Sequence, residues 1–351
     1  MSVRIRPAVA ALPAYVPGRA RPGAAKLSSN ENPEPPHPAV VAAAQAALGD
    51  ANRYPDMAAT ALREAIASRC GVAPDGVCVG TGSSAILLAA LSAVCVPGSR
   101  VVFPWRSFES YPIAVPAAGG EPVAVPLTPQ WRMDLDAMAG AIDRDTVAVI
   151  LCTPNNPTGP ALTVDEVRSF VERVPAHVLV LVDEAYIELA TAEGVATSIP
   201  LVAEHPNVLV LRTFSKVYSL AGLRVGYAIG HPELVAAVSK VLVPFGVSSV
   251  AQAAARAALA DPQRLANSVA ATVAERERVV ADLRRVGYDV PDTESNFLWI
   301  PAAQSGPDFV EACADAGLIV RPFPEGVRVS FGTRTEDDRF LDVARAFVNA
   351  R

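Results

Sequence analysis

Lys216 lies in "RTFSKVYSLAGLRVG" (212–226), with Thr213 and Ser215 just before it and Arg224 eight residues after it. A lysine amine that is partly neutral attacks a carbonyl carbon. Hydroxyls and a guanidinium together make a donor set for an anion, phosphate above all. Most lysines are exposed, so a polar loop with a surface lysine is the plainer reading of this stretch alone. Three other segments add to it. "VLVLVDEAY" closes on Asp183 and, three residues later, Tyr186, while "TVAVILCTPNNPTG" ends in a loop bearing Asn156. "VCVGTGSS" passes through Gly82 and Ser83 into a helix whose free N–H groups are suited to an anion. Singly, these read as a helix cap, a turn and an N-cap. Jointly they describe a site for a phosphorylated aldehyde cofactor with a ring nitrogen. The lysine forms its Schiff base, the carboxylate pairs with the ring nitrogen, and hydroxyls, arginine and helix N-terminus hold the phosphate.

Elements of a particular kind must position these residues. "GVCVG" (76–80), "RVVF" (100–103), "EPVAVPL", "TVAVILC" (146–152), "HVLVLVDEAY" and "NVLVLRTFSK" are strand-like runs separated by helical segments. The last two lack polar alternation, as strands covered on both faces do. Thr163 with Glu166 three residues on is a capping box and opens a helix. The pattern predicts an α/β fold, a mostly parallel sheet flanked by helices, with ligands beyond the carboxyl ends of the strands. After about residue 245 a long helical stretch, interrupted near Asp261-Pro262, leads to short strands "NFLWI" and "VRVSF" and helices around 307–316 and 336–350. That texture predicts a smaller α+β unit at the C-terminal end. The proline-rich residues 1–38 read as an extended arm.

Composition narrows the function classes. The 351 residues exceed what one core usually supports. A 51% hydrophobic and 19% charged composition excludes a disordered chain, and a net charge of −6 offers no nucleic-acid footprint. No apolar run approaches the ~18 residues of a membrane span, and the start of the chain reads as neither signal peptide nor anchor, so a cytoplasmic location is expected. Cys70, Cys78, Cys95, Cys152 and Cys313 have no metal-ligand spacing with the four histidines and read as reduced thiols.

The motifs "SSNENP" (28–33), "NRYPD" (52–56), "PNNPTG" (154–159), "DEAY" (183–186), "SKVYSLAGLRVGY" (215–227) and "VRVSFGT" (327–333) span nearly the whole chain. In that order and spacing the chain resembles fold-type-I pyridoxal-phosphate aminotransferases of the histidinol-phosphate and aromatic subfamily. "PWRSFESYP" and "VPFGVSSVAQAA" are similar to actinobacterial-type aromatic (phenylalanine) aminotransferases. The resemblance implies an arm over 1–29 packing on the small domain and a partner, a large pyridoxal 5'-phosphate domain over 30–245, and a small domain over 246–351. It implies Lys216 as Schiff-base lysine and proton shuttle, Asp183 on the pyridine nitrogen, and Asn156 and Tyr186 on the ring oxygen. Phe108 stacks on the ring, and Gly82, Ser83, Thr213, Ser215 and Arg224 take the phosphate. Tyr54 reaches into a partner subunit's phosphate site, so a homodimer is implied. Arg328 clamps the substrate carboxylate, and Tyr15, Asn30, Phe245 and Arg321 are substrate-side residues.

Substrate choice rests on two positions. Histidinol-phosphate enzymes of this subfamily commonly carry tyrosines where this chain has Phe108 and Phe245. Phenyl rings suit an aromatic side chain, so the expected reaction is transamination of phenylalanine or tyrosine with a 2-oxo acid. Histidinol phosphate is the alternative donor, and a threonine-phosphate decarboxylase-like lyase shares most of the motifs.

Overall fold

The structure, a computed structural model, describes residues 3–12 and 21–349. Tyr15 lies outside the described residues. Ala25–Lys26 (β1) precedes seven strands of one sheet: Val77–Gly80 (β2), Arg100–Trp105 (β3), Glu121–Pro126 (β4), Thr146–Cys152 (β5), Leu179–Asp183 (β6), Val208–Thr213 (β7) and Gly226–Gly230 (β8). Their order is β2-β8-β7-β6-β5-β3-β4. All neighbours are parallel except β8, which runs antiparallel to β7 and β2. The absence of polar alternation in β6 and β7 has its cause here, since every residue of both strands is buried. One apolar cluster with Val180, Val182, Val208 and Val210 covers one face, and another with Leu179, Leu181, Leu209 and Leu211 covers the other.

The Thr163 box forms in full. Its hydroxyl accepts from the Glu166 amide at 3.1 Å, and the Glu166 carboxylate accepts from the Thr163 amide at 2.7 Å. Towards the C-terminus, helices Ser249–Leu259 and Pro262–Arg285 are broken at the predicted point, where Asp261 caps the second by accepting from Arg264 N. Phe297–Pro301 (β9), Leu318–Ile319 (β10), Arg321–Phe323 (β11) and Gly326–Ser330 (β12) follow. Strands β11, β12 and β9 make a three-stranded antiparallel sheet backed by its own apolar cluster, including Leu298, Phe309 and Phe340. The last helix starts at Arg334, two residues before the expected position.

The N-terminal segment departs from a purely extended arm. Pro7–Ala10 is one helical turn, and Arg6 donates to the Ala117 carbonyl. Proline at the first helical position costs nothing, because that N–H has no intrahelical partner anyway. Further on, β1 pairs with β10 in parallel, with Ala25 opposite Leu318 and Lys26 opposite Ile319. No helix among the described residues is long and apolar enough to cross a membrane. The five cysteines are free thiols.

Candidate active site

The register of the central strands sets the floor of the site. Cys152 pairs with Asp183, and Asp183 with Leu211, so β5 and β6 end level and β7 runs two residues further, to Thr213. Behind that edge Arg212 ties β7 to the chain after β6, through ion pairs to Glu184 (3.2 Å) and Glu188 (2.7 Å). The strand ends open into a cavity of about 350 Å³, within the range of small-molecule sites. Asn30, Ser83, Phe108, Asn156, Asp183, Tyr186, Thr213, Ser215, Lys216, Arg224, Arg321 and Arg328 all line it, although the sequence spreads them over three hundred residues.

Asp183 is 5% exposed. The Tyr111 hydroxyl donates to its Oδ2 at 2.9 Å, while Oδ1 is buried without a partner. Burial pushes the carboxyl up to about 6, against the lowering effect of the Tyr111 hydrogen bond. A buried carboxylate oxygen left unpaired is costly, and a cationic N–H donor in the cavity would satisfy it. Burial also pushes the neighbouring Cys152 thiol up to about 12, so it stays protonated.

Lys216 follows β7 directly, and its Nζ lies 3.5 Å from the Ser29 carbonyl and 5.5 Å from the Tyr186 ring centroid. Burial, helped by the positive charge of Arg328, brings the amine down to about 8. A useful fraction is therefore neutral near physiological pH.

The anion cradle is built around missing side chains. Gly82 has φ +86°, and a Cβ there would stand 2.6 Å from Arg224 Nη2. At Gly226 a Cβ would meet the Ser83 amide nitrogen at 2.5 Å. No side chain caps the Ser83–Val94 helix, so its first N–H groups stay available. Thr213 Oγ1 and Ser215 Oγ lie 2.9 Å apart, and Arg224 Nη1 is 3.4 Å from Ser215 Oγ.

The opposite wall comes from Asn30 and β12. Asn30 has φ +54° and is held at three points: its N–H donates to Ser330 Oγ, its Oδ1 accepts from Ser330 Oγ, and its carbonyl accepts from Asn296. So fixed, its Nδ2 donates to the Tyr186 hydroxyl at 3.0 Å. Arg328 donates to Asn156 Oδ1 at 2.5 Å and to the Ser28 carbonyl at 2.6 Å. Because a guanidinium only donates, Asn156 must turn its oxygen to Arg328 and present its amide N–H groups elsewhere.

Two expected residues are not brought into this chain's cavity. Tyr54 is 83% exposed and Phe245 42% exposed, and their rings stack on the surface with centroids 4.8 Å apart. Conversely, the cavity gains Ser28, Ser29, Ser107, Glu109 and Phe323, which sequence reasoning missed, as it missed Tyr111 beneath Asp183. Tyr111 opens the apolar segment "YPIAVPAA", which reads as core, and only its hydroxyl hints at another duty.

The family model for aminotransferase class I and II matches residues 23–343. This chain belongs to that family. Among curated aminotransferases, the aromatic amino acid aminotransferase of Mycobacteroides abscessus is 47% identical over 99% of this chain and 100% of its own length. That of Thermobifida fusca is 49% identical over 98% of this chain and 97% of its own. A solved aminotransferase structure, the histidinol-phosphate enzyme of Sinorhizobium meliloti in complex with pyridoxal-5'-phosphate, superposes with a TM-score of 0.91 at 29% identity, covering 99% of this chain and 98% of that one. The aminotransferase fold is thus shared along essentially the whole length.

Proposed function

We propose that this aminotransferase uses pyridoxal 5'-phosphate to transaminate aromatic amino acids, phenylalanine and tyrosine, with a 2-oxo acid as acceptor. The observation that carries the substrate class is the near-full-length identity of 47 to 49% to relatives named for aromatic amino acids. The donor set fits the cofactor: an unpartnered buried carboxylate oxygen for a protonated ring nitrogen, and a glycine-walled cradle of hydroxyls, Arg224 and helix N–H groups for a phosphate. When bound, the cofactor supplies an electrophilic carbonyl carbon and an electron-poor ring that stabilises negative charge at the substrate α-carbon.

The chain's own residues do the rest. Neutral Lys216 attaches the cofactor and then moves a proton at its Nζ to and from the substrate α-carbon. Asp183 keeps the ring nitrogen protonated, with Tyr111 orienting its carboxylate. Asn156 and Tyr186 would donate to the cofactor's ring oxygen, Phe108 would pack against its ring, and Gly82, Ser83, Thr213, Ser215 and Arg224 would hold its phosphate. Arg328 takes the substrate carboxylate, and Asn30 steadies Tyr186. The division into an arm (1–29), a large domain (30–245) and a small domain (246–351) belongs to the same reading. So does a homodimer in the cytoplasm, in which exposed Tyr54 serves the partner's phosphate cradle and Phe245 and Tyr15 lie towards substrate.

Arg328→Ala or Arg328→Lys is expected to cut kcat/KM for phenylalanine by roughly 30-fold to several thousand-fold, as when a charge-assisted pair in a desolvated site is lost. Unchanged steady-state constants would remove Arg328 from the clamp. Histidinol phosphate is the second reading, favoured by the solved structures named for it. Purified enzyme assayed with phenylalanine and histidinol phosphate side by side decides, and a large preference for the phosphate ester overturns the aromatic assignment. Within the aromatic reading, Phe108→Tyr is expected to raise kcat/KM on histidinol phosphate relative to phenylalanine by about tenfold, since a hydroxyl near a phosphate adds one charge-assisted hydrogen bond. A ratio that does not move would mean that Phe108 has no part in the choice.

A further inference from the structure

Three loops at the carboxyl edge of the sheet meet at one side chain, Asn155. They are the stretch after β3 that carries Ser107 and Phe108, the "PNNPTG" turn after β5, and the stretch around Trp131 after β4. Asn155 Oδ1 accepts from the Ser107 hydroxyl at 2.7 Å, while its Nδ2 donates to the Arg106 carbonyl at 3.1 Å and to Thr158 Oγ1 at 2.7 Å. Thr158 Oγ1 in turn donates to the Trp131 carbonyl at 3.0 Å. Because the Arg106 carbonyl only accepts, the amide cannot be turned the other way round.

The network is sheltered and complete. Ser107, Asn155 and Thr158 are all buried. The Asn155 backbone is used as well, its N–H donating to the Pro160 carbonyl and its carbonyl accepting from Gly159 N. A fully satisfied buried network rigidifies what it joins, and removing one partner leaves a buried polar group unpaired. Pairing of β3 with β5 stops at Val102 and Val149. Beyond that point no ladder fixes the two chains relative to each other, and the amide does.

Asn155 itself does not line the cavity, but the residues next to the network do. Phe108 comes directly after Ser107 and Asn156 directly after Asn155, and both face the cavity. We infer that Asn155, through its bond to Ser107, is a positioning residue. It sets Asn156 and the Phe108 ring relative to one another, and so aims the Asn156 amide, whose oxygen Arg328 holds, at the cofactor's ring oxygen. This role rests on the pyridoxal-phosphate reading above and assigns it a residue outside the cavity.

The test follows the visible absorption of the bound cofactor against pH in wild type, Ser107→Ala, Asn155→Ala and Asn156→Ala, and in Asn156→Ala combined with each of the other two. A donor to the ring oxygen favours its anionic form, so a misplaced donor makes the bound cofactor lose its proton at higher pH. The midpoint is expected to rise by about one pH unit in Ser107→Ala, the scale of one hydrogen bond, and at least as far in Asn155→Ala. In the Asn156→Ala background neither substitution should raise it further, because the donor being aimed is already gone. Ser107→Ala deletes a single bond, and the thermal midpoint of each cofactor-free variant is measured alongside. A pH midpoint that stays at the wild-type value, with or without a loss of thermal stability, makes the network a staple of the fold alone and overturns the role. An equal rise in the Asn156→Ala background overturns it too. A wild type that holds no absorbing cofactor overturns the cofactor reading and this role with it, whereas unmoved variants of a cofactor-bearing wild type overturn this role only.

Discussion

Lys216→Ala is expected to lower transamination by roughly 10⁴-fold or more, because one substitution removes both the nucleophile and the proton-transferring base. Lys216→Arg should fail equally, since a guanidinium does not deprotonate at working pH. The loss belongs to chemistry rather than folding. A lysine brought down from 10.5 to about 8 costs the cofactor-free protein stability at every pH below about 8, and that cost fades as pH rises towards 10.5. At pH 7, cofactor-free Lys216→Ala should therefore be no less stable to heat than cofactor-free wild type. The same shift predicts that cofactor uptake by stripped wild type accelerates about tenfold per pH unit below 8 and levels off above it. Turnover of Lys216→Ala within tenfold of wild type, or uptake indifferent to pH, would remove the lysine from this role.

Asp183→Asn is expected to cost roughly 100- to 1000-fold in kcat, the scale of losing one preorganised electrostatic partner of developing charge. The carboxylate is buried and accepts from Tyr111 on one oxygen, so an amide of the same shape changes charge with little change in packing. Its pKa of about 6, raised from 3.8, costs stability above pH 4, most fully above 6. Hence the cofactor-free variant should not be less stable than wild type at pH 7.5. Absorbance of the retained cofactor together with kcat separates weak binding from slow chemistry. Wild-type kcat with full cofactor retention would show that Asp183 does not act on the ring.

The sequence by itself determined the sheet and the floor of the site. Uninterrupted apolar runs such as "VLVLVD" and "VLVLRT" are long enough to be strands and lack a polar face, so their carboxyl ends were identifiable, and Asp183, Thr213 and Lys216 with them. "VCVGTGSS" was legible for the same reason, and Arg224 lies close to Lys216 in the chain. The helix Pro38–Ala47 was not legible, since its alanine-rich sequence buries only Val40 and shows little contrast between faces. Tertiary structure alone decided the far wall. Tyr111 meets Asp183 across 72 positions, Glu109 meets Arg321 across 212, and Arg328 meets Asn156 across 172. No local periodicity encodes such pairs, because they arise when separately stable layers pack. The resemblance supplied roles for Tyr54 and Phe245, but their stacking on the surface, away from this chain's own cavity, appears only once the chain is folded. Local patterning is set by burial of each element against its neighbours, whereas charge pairing across the cavity is set by where whole sheets come to rest.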